Sequence, residues 1–160
     1  MNAFIVVGVD GSDQSKEALR WALDEARLRD ASVRVVYAWL AQRVLVPGSP
    51  VVAADWQLLR RSAEEFVEDV VDQAVESSTD VEVTAVAAHG TPADVLVQAS
   101  RGADLLVVGS RGHGGFAGLL LGSVSQQCVH HATCPVVIVR GTRVEQNEAA
   151  GHETGVALPA

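Results

Sequence analysis

The chain has 160 residues, enough for one domain and too few for two comfortable ones, and its 20 acidic against 12 basic residues give a formal net charge of -8. No basic block appears anywhere, so the Lys/Arg footprint needed for a phosphate backbone is missing and nucleic acid is excluded as the expected partner. Apolar residues make up 48% of the chain, yet there are only three Phe, three Trp and one Tyr. Such an aliphatic core suits a parallel sheet covered by helices, whose strands read as continuous Val/Ile/Leu runs.

The N-terminus, MNAFIVVGVDGS, lacks a basic leader region, and no apolar stretch approaches the ~18 residues needed to cross a bilayer. Two cysteines, Cys128 and Cys134, form neither a disulfide scaffold nor a CxxC pair. These features predict a cytoplasmic protein with reduced thiols and no membrane partner.

Strand and helix signals alternate from the start. Residues 3–9 (AFIVVGV) form an apolar run of strand length that stops at Asp10-Gly11-Ser12. A helix fits 13–29, with Leu19, Ala22, Leu23 and Ala26 at helical spacing and charges on the other faces. Residues 33–39 (VRVVYAW) are a second strand. Residues 40–54 carry two prolines and a glycine without a period, and read as a loop or lid. A helix over 55–77 presents Leu58, Leu59, Ser62, Phe66, Val70 and Ala74 as one stripe, and residues 81–88 are a third strand.

Thr91 suits the cap of a third helix, with Pro92 at its first position and Asp94 completing a capping-box-like pair. That helix is expected to end near Gly102, a natural left-handed residue. Residues 104–108 (DLLVV) are a fourth strand running into Gly109, 123–132 a fourth helix, and 136–139 a fifth strand opened by Pro135. The β-α-β-α-β-α-β-α-β order with right-handed crossovers predicts an open, doubly wound, Rossmann-like α/β domain over residues 1–140. Residues 141–160 are polar and aperiodic and read as a disordered tail.

The informative segment runs Gly109-Ser110-Arg111-Gly112-His113-Gly114-Gly115-Phe116-Ala117-Gly118-Leu119-Leu120-Leu121-Gly122-Ser123. It leaves the carboxyl end of a buried strand and enters a helix, at the edge where open α/β sheets take ligands. Glycines let backbone N–H groups approach phosphate oxygens and permit positive φ. Ser123 is placed as the helix N-cap with Gln126 three residues on, and the helix offers free N–H groups and a positive dipole end. Ser110, Ser123 and Ser125 add hydroxyl donors, and Arg111 with His113 adds positive charge.

Glycine is also the ordinary residue of flexible connectors; the position between a buried strand and a helix start is what favours an anion site. A GxGxxA string at residues 112–117 matches a dinucleotide fingerprint, but it follows the fourth strand and has no acid about 20 residues on. A P-loop needs a lysine, and Lys16 is the chain's sole one.

Gly109-x2-Gly112-x9-Gly122-Ser123 fits the pattern G-x2-G-x9-G-[ST]. With VVGVDGS at the first strand end, ADLLVVGSRG at the fourth and HATCPVVIVR at the close, residues 3–140 resemble the ATP-binding branch of the universal stress protein family. The resemblance implies a five-stranded sheet ordered 3-2-1-4-5 with four helices. It also implies ATP, with Mg, across the ends of strands 1 and 4, and a homodimer through the last strand, Pro135, Val136, Val137, Ile138 and Val139. Carried over, Asp10 meets the ribose or a phosphate-bound metal, beside Gly11 and Ser12. Gly8 and Val9 line the adenosine side, and Ala38 contacts adenine. Gly109, Ser110, Arg111, Gly112, His113, Gly114, Gly115, Gly122, Ser123, Val124 and Ser125 hold the triphosphate and ribose.

Other residues invite plainer readings. Asp10 at a strand-to-helix junction is equally at home in an Asx turn, and Asp104 reads as structural. His130, His131 and Cys134 fall short of a zinc ligand set. His89 is a turn residue near the ligand edge, and Cys128 belongs to a core stripe with Val124 and Ala132. Leu119-Leu120-Leu121 is read as packing beneath the ligand or against a partner. No catalytic set is visible. The leading reading is an ATP-dependent regulatory module of the stress response; a slow ATPase or nucleotidyl-transferase and a ligand-free dimeric scaffold stand as alternatives.

Overall fold

A computed structural model describes residues 3–41, 55–75, 80–113 and 120–141. Within them the elements run β1 (Phe4–Gly8), α1 (Asp13–Arg29), β2 (Ser32–Trp39), α2 (Trp56–Val75), β3 (Val83–His89), α3 (Pro92–Ala99), β4 (Leu105–Gly109), α4 (Ser123–His131) and β5 (Val136–Val139). Most of the expected lid (42–54), the expected last turn of α2 (76 and 77), Gly114, Gly115, Leu119 and the tail from 142 onward lie outside the described residues.

All strand pairs are parallel and the sheet order is β3-β2-β1-β4-β5. The central strands are buried on both faces, which their unbroken aliphatic sequence requires. Period-2 alternation then divides the interior into two layers. Ile5, Val7, Val33, Val35, Leu105 and Val107 face α1 and α2, where Leu19, Ala22, Leu23, Ala26 and Val67 meet them. Val6, Val36, Leu106 and Val108 face α3 and α4, against Leu96 and Cys128. Cys128 is fully buried, and burial, with Cys134 beside it, pushes its thiol up to about 11. Asp104 acts structurally: its carboxylate accepts the Phe4 amide at 2.9 Å, and its own amide donates to the Phe4 carbonyl.

Several local expectations need correction. On α2 the buried positions are Ala63 and Val67, while Leu58 is 61% exposed and Ser62 is exposed too. The apolar arc of this helix is broad, and the sheet takes its 63/67 side, with Phe66 stacked on Tyr37 at 4.5 Å between centroids. On α3 the Thr91 hydroxyl bonds the Asp94 carboxylate at 2.6 Å and makes no bond to a helix amide, so the capping box closes between side chains alone. That helix stops at Ala99; a tight turn through Ser100 and Arg101 follows, and Gly102, at φ +77°, takes the left-handed position beyond it. Asp30 ends α1 in the left-handed region at φ 53°.

At the far edge, β5 pairs with β4 on one side. The Pro135 and Val139 carbonyls accept the Leu106 and Ser110 amides, so by alternation the backbone groups of Val136 and Ile138 point away from the sheet. Among the described residues, no helix is long and apolar enough to cross a membrane.

Candidate functional site

The order of the sheet reverses between β1 and β4, and the loops leaving those two strands diverge to open a cleft at the carboxyl edge. Its lining is mixed in character. Val36, Ala38, Pro92, Leu96, Val108 and Val124 give the cleft apolar lining; Asp10, Gly109, Arg111, Gly112, His113, Gly122, Ser123 and Ser125 give it polar side chains and glycine backbone. Gly8, Val9 and Ser15 complete the lining.

The structure thus brings together twelve of the residues singled out from sequence: Gly8, Val9, Asp10, Ala38, Gly109, Arg111, Gly112, His113, Gly122, Ser123, Val124 and Ser125. Gly11, Ser12 and Ser110 sit behind the cleft wall and shape it. Gly11 turns the chain at φ +83°, and Ser12 caps α1 by accepting the Ser15 amide. Leu120 is 73% exposed rather than seated under the cleft. His89 lies on the α2 side of the sheet, packed against Trp39 and Trp56 at 4.9 and 4.5 Å between centroids.

Asp10 is both an Asx-turn residue and a cleft residue. One carboxylate oxygen accepts the Ser12 amide at 2.9 Å and the Ser12 hydroxyl at 2.5 Å. The other accepts the His113 amide across the cleft at 3.3 Å. Burial pushes this carboxyl up, but the hydroxyl and amide of Ser12, the Ser15 hydroxyl and nearby His113 outweigh it and hold the group below its ordinary value.

The glycines of the described loop serve close approach and not unusual backbone angles, since none of Gly109, Gly112 or Gly122 has a positive φ. A Cβ on Gly112 would come within 2.5 Å of the Asp10 carboxylate, and one on Gly109 within 3.2 Å of the Gln14 backbone. The expected cap is also displaced. Gly122, not Ser123, is the N-cap of α4 and offers no side-chain bond. A glycine cap leaves the first-turn amides of Ser123, Val124 and Ser125 without an intrahelical acceptor, at the end where the helix dipole is positive.

Two of the three expected hydroxyl donors are already committed. Ser110, 4% exposed, donates to the Gln14 side chain at 2.9 Å, and Ser125 donates to the Gly122 and Ser110 carbonyls at 2.9 and 3.2 Å. Ser123 alone keeps an exposed hydroxyl at the helix start.

Sequence reasoning missed Gln14, Ser15, Val36, Pro92, Leu96 and Val108. The signal for most was there: Val36 shares a strand face with Ala38, and Leu96 lies one helical turn after Pro92.

The model of the universal stress protein family matches residues 1–140. A universal stress protein of Mycobacterium tuberculosis is 38% identical over 136 residues, 85% of this chain and 44% of the relative. Another from Mycobacterium bovis is 39% identical over 140 residues, 87% of this chain and 46% of the relative. The chain therefore spans less than half the length of these curated relatives. Among solved structures, the universal stress protein UspA of Lactobacillus plantarum superimposes with a TM-score of 0.72 at 22% identity, over 86% of this chain and 97% of that one. A universal stress protein solved in complex with cAMP gives 0.63 at 28% identity, over 87% and 97%. One from Arabidopsis thaliana with AMP bound gives 0.60 at 25%, over 92% and 97%. Family match, curated relatives and fold agree: the chain belongs to the universal stress protein family.

Proposed function

We propose that the cleft binds an adenine nucleotide, ATP in particular, and that occupancy regulates what the protein's surface offers to partners. The observation that carries this reading is that one cleft is lined both by apolar side chains and by the N-terminus of a helix. An adenine ring suits Val36, Ala38, Pro92 and Leu96, and phosphates suit the amides of Ser123, Val124 and Ser125. The relatives solved with cAMP and AMP support the same ligand class. Asp10 is one carboxylate beside an anion site, the donor set that Mg takes when phosphates and water complete its shell. No group of three or more His, Cys, Asp or Glu among the described residues gathers for a free-standing metal. We place the dimer contact on β5, whose outward backbone groups on Val136 and Ile138 suit pairing with a second edge.

The test is calorimetric titration with ATP, AMP and cAMP on the wild type and on Gly122→Val. Gly122 has an ordinary φ of -74°, and its Cβ would meet the Arg111 backbone at 3.4 Å. A Cβ is therefore accommodated, and the branches of valine beyond it narrow the gap between the two loop arms; circular dichroism of the variant checks that the fold is kept. Binding by the wild type and a loss of at least roughly tenfold in the variant, about 1.4 kcal/mol, is the expected result. Equal binding by both, or none by the wild type, would overturn the assignment.

A further inference from the structure

Gln14 lies at the start of α1, 96 residues from the loop it touches. Its side-chain carbonyl accepts the Arg111 amide at 2.7 Å and the Ser110 hydroxyl at 2.9 Å. Because a backbone N–H can only donate, the carbonyl oxygen and not the amide nitrogen of Gln14 must face the loop. The packing is close on both sides: a Cβ on Gly109 would stand 3.2 Å from the Gln14 Cβ, and one on Gly141 would stand 3.3 Å from its Cγ.

Every other polar group of Ser110 is engaged as well. Its amide donates to Val139, and its carbonyl accepts from the Gly122 amide at 2.7 Å and from Ser125. Gln14 therefore completes a fixed junction among α1, β4, β5 and the start of α4.

From this arrangement we infer that Gln14 is the positioning residue of the glycine loop. By taking the Arg111 N–H it fixes the peptide leaving β4, and so sets the direction in which Gly112 and His113 enter the cleft. The Arg111 amide is then withheld from any anion, and the next but one, that of His113, meets Asp10. Two groups from the β1–α1 segment thus occupy alternate amides of the loop opposite. Gln14 touches no ligand in this role; it acts through Arg111. The inference deepens the nucleotide reading and rests on it.

The test uses the full chain with Gln14→Ala and Gln14→Glu, the second retaining side-chain acceptor oxygens at nearly the same reach. Amide hydrogen exchange read by NMR without nucleotide reports the anchor, and calorimetry with ATP and AMP reports its consequence. In Gln14→Ala the Arg111 amide should exchange at least roughly tenfold faster while Ile5 and Val107 keep wild-type protection. Nucleotide affinity should fall roughly fivefold, the size of one neutral hydrogen bond. Gln14→Glu should restore the protection of Arg111.

Wild-type protection of Arg111 in Gln14→Ala would overturn the inference. So would a freed Arg111 with unchanged affinity, or a Glu variant that leaves Arg111 unprotected. A wild type that binds no nucleotide would instead sink the functional reading, and the exchange arm would still decide whether Gln14 orients the loop.

Discussion

At the scale of single residues, the cleft is governed by how closely backbone can approach a carboxylate. Gly112 has room for a hydrogen and nothing larger, because a Cβ would sit 2.5 Å from Asp10 Oδ2. Gly112→Ala must displace that carboxylate, at the expense of its bond to the His113 amide, and on the proposed reading nucleotide affinity should fall tenfold or more, about 1.4 kcal/mol, by calorimetry. Asp10 makes a second, pH-resolved prediction. Its folded carboxyl lies below the ordinary value of 3.8. The charge therefore contributes stability that is fully present above that value and is lost as pH falls through the folded one. Urea midpoints of wild type and Asp10→Asn should differ by a constant amount from neutral pH down to about 5, and converge well below 3.8. A gap that widens in acid would contradict the hydrogen bonding described for Asp10. Both roles of Asp10 were visible in sequence, since a strand-to-helix Asp-Gly-Ser suits a turn and a ligand edge alike. Gln14 was not, because nothing local marks a residue whose partners are 96 and 97 positions away.

At the scale of elements, strand and helix identities followed from continuous aliphatic runs and from helical spacing, and α1 and β5 have the bounds read from sequence. The errors fell where tertiary contact decides. α2 carries more apolar positions than one face can bury, so only the sheet could choose between its 58/62 and 63/67 sides. The cap of α4 falls on Gly122, whose amide donates to the Ser110 carbonyl and whose own carbonyl accepts the Ser125 hydroxyl. Helix α3 lies so close to β1 that a Cβ on Gly8 would meet Leu96 Cδ1 at 2.7 Å and Cδ2 at 2.9 Å. Gly8→Ala should therefore cost about 1–3 kcal/mol by overpacking. Adding Leu96→Ala should recover part of that cost, so denaturation of the double variant should show a favourable coupling. Simple additivity of the two would place the contact elsewhere.

At the scale of the whole molecule, the sheet order was legible through the family pattern and its parallel character through composition. The hydrogen bonding of residues 110–113 was not, since glycine strings alone do not say which amides are already taken. The β5 edge leads to a final prediction. Ile138 directs its N–H outward, so Ile138→Pro removes a donor from the free edge while leaving the β4 ladder in place. On the proposed β5 contact, sedimentation should show the wild type as dimer and that variant as monomer, with circular dichroism unchanged.

The inward side of the same strand has a further consequence, because the Val139 carbonyl holds the amide of Ser110, the residue that opens the glycine loop. Whatever stiffens one end of that bond is felt at the other, and two equilibria that share a joint are linked reciprocally. On the proposed reading, with nucleotide in the cleft and a second copy on β5, nucleotide should shift the concentration at which subunits separate, and self-association should shift nucleotide affinity by the same factor.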